Sequence, residues 1–98
     1  MPTLQELTGR VRDVASAHPD LSRPILLDLG ETGVIHLAAG VVENSETPAD
    51  CRISLSADDL EALIEGRLDP TMAYMTGQLR VDGDMPLALQ LASALRRA

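Results

Sequence analysis

An almost wholly apolar helical segment most constrains how this chain folds. In residues 87–95 only Gln90 and Ser93 are polar, and Asp84 just before them is a suitable N-cap. A surface helix of a small soluble domain normally has a broad polar face. We therefore expect this helix to be packed on most of its sides. Helical spacing leaves only a narrow outer stripe, made of Pro86, Gln90, Ser93 and Arg97.

The interior that this helix joins must be aliphatic. The chain has 98 residues, which favours one domain over residues 1–98. Hydrophobic residues make up 45%, yet Tyr74 is the only aromatic residue. Leu, Ile, Val, Met and Ala must therefore fill the core. Such an interior is adaptable: it suits a flexible hydrocarbon chain, and it equally suits an ordinary core.

The charge narrows the choice of partners. The net charge is −7, and all eight basic residues are arginine. Nucleic-acid binding needs basic clusters, so it is not expected. Tight electrostatic docking on anionic membranes is not expected either. Transient contact with a membrane or with a protein partner stays open, and the sequence does not fix the oligomeric state.

The compartment is predicted from cysteine usage and from the absence of targeting signals. Cys51 is the only cysteine, so no intramolecular disulfide can form and a reducing cytoplasm is the natural setting. No apolar run approaches the roughly 20 residues of a membrane span. The sequence 96–98 is not a peroxisomal address. A cytoplasmic protein is therefore expected.

Periodicity predicts an α+β fold. Helical spacing with a Thr3 cap indicates a helix over residues 3–17. A second helix begins after Ser56 and ends at Gly66, and a short one runs from Pro70 to Gly77. Because four strands are consecutive, we expect a five-stranded, mainly antiparallel sheet covered by helices. The strands are predicted at 23–29, 34–39, 41–43, 50–55 and 78–82.

The residues that usually carry catalysis are present but not grouped. His36 alternates with apolar neighbours in a strand, so we expect it to face solvent or a polar sheet face. Cys51 lies on the apolar side of its strand, where cysteine is usually inert. Asp58 and Asp59 at a helix start are capping residues rather than a catalytic pair. The sequence therefore predicts a protein that is not an enzyme and that needs no metal or other cofactor.

The second half of the chain resembles a known family. Its text is ADCRISLSADDLEALIEGRLDPTMAYMTGQLRVDGDMPLALQL. A strand of the type D-x-x-[IV]-x-[LM] is followed by an acid-capped helix ending in glycine, and then by G-x-L-x-[IV]-x-G-[DN]-M-x-x-A. This ordered set resembles the sterol carrier protein-2 (sterol transfer) domain, in its small stand-alone bacterial type. The first half matches only in its order of helix and strands.

The resemblance implies a fold and an activity. The fold would be a five-stranded sheet with helices packed over it and an apolar tunnel between them. The activity would be binding and transfer of fatty acids, fatty acyl-CoAs, phospholipids or isoprenoid-type lipids, without catalysis. The alternative is an accessory or scaffold module that acts through a protein partner, for example in ubiquinone biosynthesis. The early strands lack the bulky aromatics of longer members, which makes sterol an unexpected ligand.

The tunnel implied by the resemblance would draw its lining from the last three helices and the fifth strand. The methionines are the preferred candidates, because flexible side chains suit variable ligands. Each candidate also has a plain interpretation as a core residue. The predicted lipid-binding residues are Leu60, Leu63, Ile64, Met72, Met75, Leu79, Val81, Met85, Leu89 and Ala92.

Overall fold

Four helices and five strands alternate along the chain in the computed structural model, which describes residues 2–19 and 21–96. A short 3-10 turn, Gly30–Thr32, joins the first two strands. The helices are α1 (Leu4–Ala17), α2 (Ala57–Ile64), α3 (Pro70–Thr76) and α4 (Met85–Arg96). The strands are β1 (Ile25–Asp28), β2 (Val34–Ala38), β3 (Val41–Glu43), β4 (Cys51–Ser54) and β5 (Arg80–Gly83).

Local capping sets where the helices begin. Thr3 and Glu6 form a reciprocal capping box at the start of α1. The Ser56 hydroxyl accepts a hydrogen bond from the Asp59 N–H at the start of α2, and the Asp84 carboxylate accepts one from the Leu87 N–H in α4. These predicted caps are confirmed. Gly77 ends α3 at φ 82°, in the left-handed region that glycine adopts without strain.

The sheet is mixed, so the prediction of a mainly antiparallel sheet was wrong. The strand order is β3-β2-β1-β4-β5, and the central pair β1–β4 is parallel. The reason is the connection between β3 and β4, residues 44–50, which we call the crossover. Because β3 and β4 run in the same direction, the crossover must carry the chain back past β2 and β1 before β4 begins.

One side of the sheet, which we call the core face, packs against the helices. The row Val42–Leu37–Ile25–Cys51 runs across four strands on this face. Its members belong to one cluster of buried apolar residues with side chains from all four helices. This cluster is the aliphatic core that the composition predicts.

The opposite side, which we call the outer face, is more polar. Its central row is Glu43–His36–Leu26–Arg52–Asp82. The crossover leaves at Glu43 and passes over this row, so Leu26 and His36 lie beneath it and are buried. His36 is only 7% exposed, and its Nε2 atom has no hydrogen-bond partner. His36 thus lies on the polar sheet face, one of its two predicted settings, but it is buried there rather than exposed to solvent, because a crossover over this face was not foreseen.

The packing of α4 explains its apolar sequence. This helix contacts α1, α2, α3, β4 and β5, so it is enclosed on most sides as expected. The predicted stripe residues Pro86, Gln90 and Ser93 are exposed. Arg97, the fourth member of that stripe, lies outside the described residues.

Candidate functional site

The predicted lining residues fall into three groups by their exposure. Three side chains face solvent: Met72 is 57%, Met75 74% and Leu89 39% exposed. Val81 and Met85 are half-buried. The others are members of the buried cluster, with no sizeable exposure: Leu60, Leu63, Ile64, Leu79 and Ala92.

Helix α4 brings these groups to one region. Both α2 and α3 pack on it, and it also contacts β4 and β5. Met72 and Met75 lie one turn apart on α3, as predicted. The exposed methionines therefore lie on α3, one of the helices that cover the core, while the leucines of α2 lie within the core.

Few residues of helix α3 pack against the rest of the molecule. Of its seven residues only Pro70 and Ala73 are buried. The Leu79 N–H donates to the Ala73 carbonyl oxygen at 3.1 Å, linking the end of α3 to the approach to β5. An exposed ion pair of Arg96 with Asp69, at 3.5 Å, links it to α4. Exposed pairs contribute little, so α3 is the element of this layer with the lowest expected local stability.

A surface pocket of about 350 Å³ lies where β1 and β4 end and β5 begins. We call it the strand-end pocket. The pairings Asp28–Ser54 and Ser54–Arg80 place these three residues in one row on the outer face. Its lining residues are Asp28, Gly30, Ser54, Leu55, Gly77, Gln78 and Arg80.

The carboxylate in this pocket is already fully engaged. Asp28 Oδ1 accepts from the Gly30 N–H at 2.9 Å, and Oδ2 accepts from Arg52 Nη2 at 2.6 Å. The Gly30 hydrogen bond, followed by the Arg52 side chain, lowers the pKa of Asp28 below its ordinary value. Asp28 is therefore ionised, and both of its oxygens are engaged within the fold.

A second pocket, of about 380 Å³, lies between the outer face and the crossover. Leu26 and Arg52 of the sheet and residues 46–49 of the crossover line it. Arg52 also donates to Glu46 at 2.7 Å, which ties the crossover to the sheet. Both pockets belong to the outer face and the sheet end. The tunnel between the sheet and the helices therefore stays a prediction.

Groups capable of nucleophilic or metal chemistry are sparse in the described part of the chain. Burial raises the pKa of the Cys51 thiol to about 11, so at neutral pH the reactive thiolate is disfavoured. Within residues 2–19 and 21–96, no group of three or more His, Cys, Asp and Glu could hold a metal ion. None of the helices in the same residues is both long and apolar enough to span a membrane.

Comparison with known proteins assigns the chain to a family. The fold is that of a small α+β domain. The model of the SCP-2 sterol transfer family matches residues 1–96. The chain belongs to this family, which confirms the resemblance seen in the sequence. Sterol carrier protein 2 of Bos taurus is 41% identical over 51 residues, covering 52% of this chain and 9% of the bovine protein. The chain thus matches only a small part of that relative.

Solved structures agree with this assignment. Sterol carrier protein 2 from Yarrowia lipolytica, in its apo form, has a TM-score of 0.75 and 25% identity, covering 93% of this chain and 88% of that one. A structure titled UbiJ-SCP2 ubiquinone synthesis protein has a TM-score of 0.68 and 17% identity, covering 99% and 94%. The second likeness shows the fold alone. The predicted α+β class and five-stranded sheet are confirmed.

The strand-end pocket is the feature that the sequence did not predict. Strand alternation places Ser54 on the outer face, but periodicity does not reveal that Asp28 pairs with it or that Arg80 follows on its other side. The sequence indicates only that residues 50–55 alternate between an apolar and a polar face of their strand.

Proposed function

We propose that this domain binds and transfers lipids with a hydrocarbon chain, and that the chain inserts beneath α3. The observation that carries the proposal is that Met72 and Met75 are exposed on α3, the helix with the fewest buried residues. Membership of a lipid-carrier family supports it. The earlier candidates Leu60, Leu63, Ile64, Leu79 and Ala92 then contact the ligand only after α3 moves outward.

Insertion of a chain would bury apolar surface that the free protein leaves in water. Met72 and Met75 would turn from solvent onto the chain, with Leu89 and Met85 on the neighbouring helix. Burial of each methylene contributes about 0.8 kcal/mol, so ten to twelve methylenes give roughly 8 to 10 kcal/mol before ordering costs. Micromolar affinity is therefore within reach with few polar contacts.

Low selectivity follows from the same physics. An extra methylene in an apolar site discriminates by only about 1–3 kcal/mol. Methionine side chains adapt their shape to different ligands. We therefore expect fatty acids, acyl-CoAs, phospholipids or isoprenoid-type lipids to compete for one site.

Displacement of a neutral fluorescent probe, N-phenyl-1-naphthylamine, by dodecanoate tests this function. The double variant Met72→Ser with Met75→Ser should fold normally, because both side chains are exposed, and should bind about tenfold more weakly. Tyr74→Ser on the same helix is the matched control, with affinity expected within twofold of the parent. Equal binding by the double variant would remove α3 from the site, and an inert parent protein would reject lipid binding itself.

A second candidate function is an accessory module that works through a protein partner. The exposed side chains Met72, Tyr74 and Met75 favour it, because solvent-facing apolar clusters are typical of docking surfaces. The ubiquinone synthesis protein of similar fold suggests the kind of process involved. Failure of lipid binding combined with a partner contact that Met72→Ser and Met75→Ser abolish would favour this candidate.

A cytoplasmic, bacterial setting belongs to the same proposal. It is supported by the single, buried cysteine, which forms no intramolecular disulfide. Fractionation of the native host would test it.

A further inference from the structure

The strand-end pocket contains an arginine that the rest of the fold does not use. Arg23, Arg52, Arg67 and Arg96 each lie within 4 Å of a carboxylate oxygen. In the described residues the side chain of Arg80 has no ion pair and no hydrogen bond, although it lines a pocket. The chain is acidic, yet none of its described carboxylates pairs with Arg80. The guanidinium of Arg80 is therefore available to a ligand.

Two further hydrogen-bond donors line the same pocket. Gln78 Oε1 lies 3.0 Å from the Thr76 hydroxyl, and the amide NH2 group of Gln78 has no recorded acceptor among the described residues. Ser54 is the cross-strand neighbour of Arg80, and within the described residues its hydroxyl has no partner. The pocket therefore combines a guanidinium, a hydroxyl and an amide NH2 group.

Among the described residues that line the pocket, Asp28 is the one carboxylate, and its oxygens are already bound within the fold. Asp28 is held by Arg52 at 2.6 Å and by the Gly30 N–H. Both of its oxygens already accept hydrogen bonds within the fold, whereas the guanidinium of Arg80 has no partner in the part of the chain that the structure describes. The polar set therefore favours a negatively charged ligand group.

We infer that the strand-end pocket binds the anionic end group, a carboxylate or a phosphate, of the ligand, with Arg80, Ser54 and Gln78 as donors. The inference rests on the proposed lipid binding and names the end group that this binding favours. The pocket borders α3 at Gly77, two residues after Met75. A single amphiphile can thus place its chain under α3 and its end group on Arg80.

Three dodecyl compounds test the inference by displacing the same neutral probe. Dodecanoate and dodecyl phosphate carry the anion, and 1-dodecanol has the same chain without it. Arg80→Gln should weaken both anions about fivefold or more, and leave 1-dodecanol within twofold. Ser54→Ala should weaken the anions by about two- to threefold.

Arg10→Gln is the matched control, because Arg10 is an exposed arginine on α1 that is not among the pocket residues. It removes the same charge and should change none of the three affinities. If Arg80→Gln weakened all three compounds equally, or none of them, the end-group site would be overturned while lipid binding stood.

A titration with inorganic phosphate tests the anion site without depending on lipid binding. The Arg80 Nε–H and Gln78 NH2 resonances should shift saturably during a titration followed by 15N NMR. Saturable shifts in a protein that binds none of the dodecyl compounds would assign the pocket to free anions and reject the lipid function. Absence of shifts in such a protein would overturn the anion site as well.

Discussion

The two faces of one sheet are stabilised in different ways in this domain. The core face contributes only apolar side chains to a cluster shared with all four helices. The outer face has a short crossover over Leu26 and His36, fixed by Arg52 through Asp28 and Glu46. Burial on the core face is hydrophobic and collective, whereas on the outer face it depends on a few polar contacts.

The comparison of the two faces indicates which parts of the molecule stabilise the fold and which parts are expected to bind a ligand. The dense part of the core face is a poor place for a ligand unless a helix moves, and α3 is the helix with the fewest buried residues. The outer face is polar and open at the strand-end pocket. The chain of an amphiphile and its end group would thus use opposite sides of the same sheet end.

The largest expected effect is on the core side. Leu91→Ala, at a fully buried position of α4, should lower the free energy of unfolding by about 2–5 kcal/mol, because it leaves a cavity. Urea denaturation followed by circular dichroism measures the loss. Leu89→Ala on the same helix should cost under about 1 kcal/mol. Equal losses would contradict the contrast between the two sides of α4.

A smaller effect is expected where the crossover is anchored. Arg52→Gln removes the bonds to Asp28 and Glu46, and should lower the urea concentration at the midpoint of unfolding. Arg67→Gln, whose partners Glu61 and Glu65 are near it in sequence, should lower that midpoint less, because exposed local pairs contribute little. If the two variants were indistinguishable in urea denaturation, the crossover would not depend on Arg52.

Replacement of His36 should act in the opposite direction. His36→Leu removes a buried nitrogen that lacks a hydrogen bond, so it should raise the free energy of unfolding by about 0.5–1 kcal/mol. Thermal and urea unfolding measure the gain. A clear loss of stability would show that the imidazole has a partner in solution that stabilises it.

The smallest effect concerns pH. Hydrogen bonds from Gly30 and Arg52 lower the pKa of Asp28 from its ordinary value of 3.8. Its contribution to stability is therefore complete above about pH 4 and is lost as the pH falls through the lower pKa of the folded state. Asp28→Asn should be less stable at pH 7 and lose less stability below pH 4. An acid-unfolding curve parallel to that of the parent would contradict this assignment.

The sequence predicted the elements of this fold well because their signals are local. Thr3, Ser56 and Gly77 act on neighbouring backbone groups, so these helix ends follow from the sequence alone. The ordered set of motifs in the second half of the chain was specific enough to reveal the family. Strand alternation likewise separated Cys51 and Ile53 from Arg52 and Ser54.

The remaining features depend on contacts between residues distant in sequence. The parallel pairing of β1 with β4 results from the crossover, and residues 44–50 contain no signal for its path. The burial of His36 follows from the same path. The row Asp28–Ser54–Arg80 joins three strands, so the strand-end pocket could not be predicted before the strand order was known.

The most direct test of the central claim is NMR of the protein labelled with 13C at its methionine methyl groups and titrated with dodecanoate. The account predicts that the Met72, Met75 and Met85 signals shift together and saturate at one ligand per chain, because the chain inserts beneath α3 beside α4. Unchanged Met72 and Met75 signals in a protein saturated with dodecanoate would contradict the account, because the ligand would then lie elsewhere.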